Sequence, residues 1–268
     1  MDYGLTFDQV SKVARMAAKI TGWGCIASLT EMPQYSMYRV DLNATAAQPL
    51  HFFTECCQAF IESGVTILRS IDQSGAVQLG MVRAGEMVSL PRFFVHGFAS
   101  WEGAVIYLFG PRTLDGLVDY PVETVAAAME AFSVIIGSDC IQSVGQPTMD
   151  VREKYWGRIE TILNGDIAAK RIFIHKDCQS SLEYHVEKNE SYYIHSGRLR
   201  VGLRIGRAQN RSIVISTGES FDVRPGVMHM RMGLEDTVIL EVSTRDSDAD
   251  SYLVEDGQMY RHIDANMD

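Results

Sequence analysis

The sequence predicts a mainly β fold built from two copies of one unit. Two motifs recur at the same spacing: "FIESG" (60–64) and "YIHSG" (193–197), then "GEMVSLPRFFVH" (85–96) and "GESFDVRPGVMH" (218–229), each pair 133 residues apart. The dipeptides Trp23-Gly24 and Trp156-Gly157 keep that spacing too. Several separated matches at one offset indicate a duplication, with copies over roughly 20–115 and 153–255.

Within each copy, short β-rich runs are separated by Gly, Pro, Asn and Ser. Examples are "KRIFIH", "SYYIH", "RLRVGLRI" and "RSIVIS", while "DQSG" and "GRAQNR" are typical of hairpin loops. Many short strands at regular spacing predict a sandwich or a barrel in each copy.

Two segments outside the strand pattern have apolar residues near helical period. They are "TFDQVSKVARMAAKI" near the start and "VETVAAAMEAFSVI" between the copies. The predicted organisation is a helical arm (1–19), a first barrel (20–115), a helical linker (116–152), a second barrel (153–255) and a tail (256–268).

Composition limits the function classes. The chain has 46% hydrophobic and 22% charged residues and a net charge of -10, which argues against nucleic acid as the main partner. No apolar run reaches the roughly 20 residues that span a bilayer, and we identify no signal peptide. Five cysteines without a CxxC pair favour free thiols in a reducing compartment. We therefore expect a cytoplasmic protein with a small-molecule substrate and no membrane partner.

A cluster of His and Glu precedes the Gly197 turn in "EYHVEKNESYYIHSG". Glu183 and His185 alternate along a predicted strand and so share a face, which suggests a metal site. Whether Glu190 joins them depends on how the chain turns back. The competing interpretation is a solvated strand end in which His185 is a hydrogen-bonded core histidine.

The second copy resembles the cupins. Their two-part pattern, a His/Glu cluster before a glycine turn and then a glycine-proline-glycine-histidine motif, matches "EYHVEKNESYYIHSG" and "GESFDVRPGVMH". The resemblance implies a bicupin of two double-stranded β-helix (jelly-roll) barrels. It places metal ligands at Glu183, His185, Glu190 and His229, with Gly226 shaping the loop before His229. The Glu at 183 departs from the usual His, so it could instead act as a free base.

Two imidazoles with one or two carboxylates suit a divalent ion such as Zn, Fe, Mn, Co or Ni. Buried together without an ion they would be costly, and one divalent ion removes that cost. The first copy has His51, Phe53, Cys57 and His96 at the corresponding positions. Because Phe53 cannot bind a metal, we interpret this copy as a structural barrel.

Within the cupins, the second copy is most similar to the C-terminal domain of phosphomannose isomerases fused to a nucleotidyltransferase. The similarity lies in "KYWGRIETIL", in both ligand motifs and in "LEDTVILEVSTRDSD". It implies an aldose–ketose isomerase acting on a sugar or sugar phosphate, with zinc as the first choice of metal. Glu183 would be the base, Glu241 a weaker candidate, and Arg231 would grip the substrate.

Two other function classes stay open from the sequence. Two His and a carboxylate also suit a non-haem iron dioxygenase or a metal-dependent lyase. A carbohydrate-binding bicupin without turnover is the third reading, because one fold hosts many chemistries. The segment "HFFTECCQAFIE" and the helices are candidates for a homodimer contact.

Overall fold

A computed structural model describes residues 6–15, 17–111, 118–119, 122–135 and 141–258 of the chain. It divides into two compact units. The described residues between 17 and 148 form the first barrel, and those before 17 and after 148 form the second barrel. Both are built almost entirely from antiparallel strands, as the sequence predicts.

The described chain begins with α1 (Phe7–Val10) and β1 (Val13–Ala14), which belong to the second barrel. The first barrel then contains β2 (Lys19–Thr21), β3 (Gly24–Glu31), β4 (Ser36–Leu42), β5 (Ala46–Ala47), β6 (His51–Phe52), β7 (Cys57–Ile71), β8 (Val77–Arg83), β9 (Glu86–Leu90), β10 (His96–Ser100), β11 (Ala104–Gly110), β12 (Val118–Asp119), α2 (Val122–Ile135) and β13 (Gln146–Pro147).

Strand β7 organises the first barrel because its 15 residues take part in two faces. Its first half pairs with β9 and β11, and its second half pairs with β8 and β10. The apolar side chains on the inner face, among them Phe53, Ile61 and Phe98, form one core. Helix α2 covers the 14 residues predicted as helical from "VETVAAAMEAFSVI", which confirms that prediction.

The second barrel continues with β14 (Asp150–Lys154), β15 (Gly157–Asn164), β16 (Ile167–Ile174), β17 (Leu182–Tyr184), β18 (Glu190–Ser196), β19 (Arg198–Ile205), β20 (Arg211–Ser216), β21 (Ser220–Val223), β22 (Val227–Gly233), β23 (Thr237–Thr244), the short 3₁₀ helix η1 (Asp248–Asp250) and β24 (Tyr252–Glu255).

Two sheets face each other across the second barrel. One has the order β1-β21-β18-β23-β16-β15-β14 and the other β20-β19-β22-β17-β24. Apolar residues of both sheets, including Ile172, Tyr192, Val201 and Ile239, form the core between them. This is the jelly-roll arrangement expected from the sequence. The hairpin loops predicted at "DQSG" and "GRAQNR" lie between β7 and β8 and between β19 and β20.

The two barrels repeat one unusual backbone conformation. Gly24 and Gly157, which open β3 and β15, both have φ of 147°. A Cβ at either position would lie 1.9 Å from a carbonyl oxygen of the neighbouring strand, that of Asp41 or of Phe173. Only glycine fits both requirements, so the repeated Trp-Gly pair marks the same strand start in each copy.

The predicted N-terminal helix is wrong beyond Val10. Helix α1 has only four residues, and the Gln9 side chain accepts a hydrogen bond from the Thr6 N–H at its start. Val13 and Ala14 then pair with the edge strand β21. Pairing with an open sheet edge satisfies backbone groups that a longer helix would have satisfied locally, so tertiary contacts override the helical pattern. Neither helix in the described ranges is long and apolar enough to cross a membrane.

Candidate metal centre

The predicted ligands come from three strands and one loop of the second barrel. Glu183 on β17 and His229 on β22 are directly opposite each other in the ladder. Glu190 opens β18, and His185 lies in the loop between β17 and β18. The Gly226 N–H donates to the His185 carbonyl oxygen at 2.7 Å, which draws the loop before β22 towards His185.

The structure brings these side chains together inside the barrel. One potential ligand atom from each of Glu183, His185 and His229 lies within 4.8 Å of the other two. Glu190 is outside that compact set but adjacent to it: its Oε1 lies 3.0 Å from His185 Nε2 and its Oε2 lies 3.4 Å from His229 Nε2. The two His residues and Glu190 are buried, while Glu183 is half-buried.

The hydrogen bonds of the imidazoles fix which nitrogen faces the centre. His185 Nδ1 lies 2.8 Å from the Asp250 carbonyl oxygen, and His229 Nδ1 lies 3.1 Å from that of Val227. A carbonyl oxygen only accepts, so each Nδ1 carries a proton, and in the neutral ring each Nε2 presents a lone pair. Both Nε2 atoms are buried and have no hydrogen-bond partner among the described residues.

Lone pairs facing a carboxylate require a positive charge between them. Burial lowers the pKa of His185, but contact with Glu190 outweighs burial, and the net pKa is raised. The site therefore attracts a cation at the point where Nε2 meets Glu190. A divalent ion supplies that charge, so the residues present fit a metal with two nitrogen and one or two carboxylate ligands.

A buried ammonium group lies beside the candidate ligands. Lys188 Nζ is 2.5 Å from Glu190 Oε1, 2.9 Å from Glu241 Oε1 and 2.8 Å from Asp246 Oδ1. A second lysine, Lys170, lies 2.8 Å from Asp246 Oδ2 and 3.7 Å from Glu241 Oε1. The result is a network of alternating charges with almost no exposure to solvent.

The network fixes the protonation of its members. Burial alone would lower the pKa of Lys188, but the three carboxylates raise it well above its ordinary value. Burial alone would raise the pKa of Glu190, but Lys188 and the two histidines hold it well below that of a free glutamate. The same two lysines lower the pKa of Asp246 to about 2 against the opposing effect of burial. Lys188, Glu190 and Asp246 are therefore charged at neutral pH.

The candidate catalytic residues lie on one cavity of about 390 Å³, whose walls include Glu183, Glu190, Arg231 and Glu241. Arg231 Nη2 lies 2.8 Å from Glu183 Oε1, and Nη1 lies 3.7 Å from Glu241 Oε2. Burial raises the pKa of Glu183, but Arg231 and His229 outweigh that and lower it. Arg231 thus points inward beside His229, as its spacing predicts, but its first partner is Glu183.

Three residues of the site escaped sequence reasoning. Lys188 lies in a loop without periodicity, and Asp246 and Asp250 belong to the acidic stretch after β23, which resembles a solvated tail. Lys188 contacts Glu241, 53 residues later, and Asp250 contacts His185, 65 residues earlier. On β16, Lys170 points inward to Asp246 and Glu241, while its neighbour Arg171 pairs with Glu160.

The corresponding place in the first barrel is filled by rings. The Phe53 ring centroid lies 5.3 Å from the centroids of both His51 and His96, and all three side chains are buried. His96 Nε2 is buried and has no hydrogen-bond partner within the part of the chain that the structure describes. Within the described ranges, no three His, Cys, Asp or Glu side chains of this barrel converge as they do in the second.

Comparisons with known proteins give a result for structure only. No protein-family model matches the chain, and no curated protein matches it. Solved structures of oxalate decarboxylase do match. One that describes its substrate binding mode and reaction specificity superposes with a TM-score of 0.68 and 15% identity over 94% of this chain and 81% of that chain.

Two structures of the Bacillus subtilis enzyme give similar results. One, used to study its Mn(II) centres, has a TM-score of 0.68 at 15% identity, again over 94% of this chain and 81% of that chain. A mutant has a TM-score of 0.67 at 17% identity, over 95% and 81%. The likeness to a phosphomannose isomerase is not among these findings. At such identities the likeness concerns the fold alone: over most of its length this chain has the fold of oxalate decarboxylase.

Proposed function

We propose that the second barrel is a metal-dependent enzyme centre that interconverts an aldose and a ketose, a sugar or sugar phosphate. The observation that carries the proposal is the pair of buried Nε2 atoms of His185 and His229, which face carboxylate oxygens and have no hydrogen-bond partner among the described residues. They line a polar cavity large enough for a small molecule.

His185, His229, Glu183 and Glu190 would hold the ion. It would supply Lewis acidity towards the carbonyl and neighbouring hydroxyl oxygens of the substrate. The donor set is of borderline softness and accepts Zn, Mn, Fe, Co or Ni. Zinc is the first choice for an isomerase, and the Mn(II) centres of the structural neighbour make manganese the second ion to test.

The charge of the cavity wall favours a reaction through an anion. The cavity is lined by as many cationic side chains as carboxylates, and the buried ones are Lys170, Lys188 and Arg231 with Glu190 and Glu241. A bound divalent ion would leave this lining with an excess of positive charge. That excess complements an enediolate, which carries negative charge, better than it complements a neutral sugar.

Glu241 would carry the proton between the two substrate carbons. Glu183 is the first choice from sequence, but its oxygens are engaged by Arg231 and Ser251 and it belongs to the compact ligand group. Glu241 lies outside that ligand group, and its carboxylate faces both Lys188 and Arg231 across the cavity wall. Arg231, close to both acids, would stabilise negative charge on the substrate next to Glu241.

Elemental analysis of protein purified without added metal, followed by an anaerobic aldose–ketose panel in D₂O, tests the proposal. The panel includes each sugar with and without phosphate. We expect about one divalent ion per chain and deuterium incorporation at the carbon next to the carbonyl. A metal-loaded protein that exchanges no carbon-bound hydrogen anywhere in the panel would contradict the isomerase assignment.

A lyase or oxygenase reaction on a small carboxylate is the second candidate. The structural likeness to oxalate decarboxylase over 94% of the chain favours it. The test incubates the protein with small dicarboxylates in the presence of Mn²⁺ or Fe²⁺. Release of CO₂ would identify a lyase, and uptake of oxygen would identify an oxygenase. An isomerase would show neither and would work without oxygen.

A further inference from the structure

The segment that follows β23 ends in the edge strand β24 and contacts the candidate metal centre. We call residues 246–255 the strap. Its Asp246 binds Lys188 and Lys170, and its Ser251 Oγ donates to Glu183 Oε2 at 3.1 Å. Its last strand, β24, pairs with β17, the strand that carries Glu183. The strap therefore reaches Glu183 and the lysines of the charge network.

Asp250 of the strap contacts the loop between β17 and β18 that carries His185. Its carbonyl oxygen faces His185 Nδ1 at 2.8 Å. Its carboxylate accepts hydrogen bonds from three successive backbone N–H groups, those of Val186 at 2.8 Å, Glu187 at 3.1 Å and Lys188 at 2.9 Å. One residue thus binds both the imidazole of His185 and the backbone that follows it.

These contacts matter because His185 is outside the sheets. Strand β17 ends at Tyr184 and β18 begins at Glu190, so no ladder holds the intervening backbone in place. The loop instead closes around the Asp250 carboxylate, a small anion site made of successive N–H groups.

We propose that Asp250 is the positioning residue of the metal centre: it holds the His185 ring in the tautomer and direction that present Nε2 to the ion. This inference rests on the proposed metal binding, though Asp250 itself would not touch the ion. Groups that orient a ligand in this way typically change metal affinity 10–100-fold when removed.

The test uses the full chain with Mn²⁺ alone as the probe and measures free Mn²⁺ by electron paramagnetic resonance during titration. We expect Asp250→Ala to weaken Mn²⁺ binding about 10–100-fold. Asp250→Asn should fall between it and wild type, because an amide oxygen still accepts but lacks the charge. The matched control is Asp248→Ala in the same 3₁₀ helix, whose side chain is 97% exposed; it should leave binding within about twofold of wild type.

A second readout is the tautomer of His185, followed by ¹⁵N NMR in the metal-free protein at a pH where the ring is neutral. Asp250→Ala keeps the backbone carbonyl oxygen that faces Nδ1 but loses the carboxylate that holds this oxygen against the loop. We therefore expect Nδ1–H in wild type and Asp248→Ala, and a mixture of tautomers in Asp250→Ala. Lower thermal stability with unchanged Mn²⁺ affinity and an unchanged tautomer would make Asp250 merely structural and overturn the inference. If wild type itself binds no Mn²⁺, the proposed metal centre fails, and the tautomer still decides the role of Asp250.

Discussion

His96 in the first barrel and His229 in the second make the same contact at equivalent positions. In each, Nδ1 lies against the carbonyl oxygen two residues earlier, 2.7 Å from Phe94 and 3.1 Å from Val227. Both rings therefore present Nε2 to the barrel interior. What differs is what that nitrogen meets: Glu190 in the second barrel, and a ring environment that includes Phe53 in the first.

This pair provides a matched test of metal binding. His229→Ala removes one of the two buried nitrogen donors, and we expect the purified variant to lose its divalent ion. His96→Ala makes the same change at the equivalent place, where Phe53 has replaced a ligand, and should keep the wild-type metal content. Elemental analysis of the three proteins measures both. Stoichiometric metal in His229→Ala would refute the assigned ligand set.

His96 also predicts a pH dependence of stability. Burial and the nearby His51 lower the pKa of His96 to about 3, whereas an unfolded histidine titrates near 6.5. As pH falls from about 6.5 towards 3, the unfolded chain takes up a proton that the folded chain does not, so the free energy of unfolding decreases. The decrease approaches about 1.4 kcal/mol per pH unit for one such group.

Urea unfolding at pH 7, 6 and 5 compares wild type with His96→Leu. The variant lacks the titrating group, so its stability should fall less steeply over this range, even if it is less stable at pH 7. Parallel profiles would show that the folded protein protonates His96 as readily as the unfolded chain does.

Two carboxylates of the cavity should separate metal binding from turnover. Glu183→Gln weakens a predicted ligand and leaves Arg231 without its closest partner, so we expect lower metal affinity as well as lower activity. Glu241→Gln is expected to keep the ion but reduce proton transfer by a factor of about 10² to 10⁴. Metal titration and the deuterium-exchange rate of each variant measure the two effects. Normal exchange in Glu241→Gln would return the role of base to Glu183.

Sequence predicted those parts of the site that depend on local periodicity. The spacing of Glu183 and His185 indicates a shared site, which the structure confirms, but the single predicted strand is wrong at His185 because β17 ends at Tyr184. The repeat, with its Gly24 and Gly157 strand starts, marks both barrels. Contacts between distant segments were not predictable, because nothing local distinguishes Asp250, which caps a loop more than 60 residues earlier, from a solvated acid. The over-long N-terminal helix has the same cause, since the edge of β21 decides the conformation of Val13.

Lys188 provides the strongest prediction about stability. Its ammonium lies within 3 Å of Glu190 and Glu241, which are buried, and of Asp246, whose side chain is 14% exposed. Lys188→Met would leave these carboxylates facing one another without their central cation. Removing one partner of a buried ion pair typically costs about 3–5 kcal/mol. We expect a loss of that size in urea unfolding at pH 7, and little change in the control Lys176→Met, whose side chain is exposed.

The pH dependence of this loss has a definite sign. Without the ammonium, at least one of the three carboxylates should have a folded-state pKa above its unfolded value of about 4. The folded variant then binds a proton that the unfolded chain releases, so the difference from wild type should shrink as pH falls from 7 to 5. A divalent ion bound nearby should restore part of the stability for the same electrostatic reason. A deficit that stays constant with pH and with added metal would mean that Lys188 stabilises the barrel through packing rather than charge.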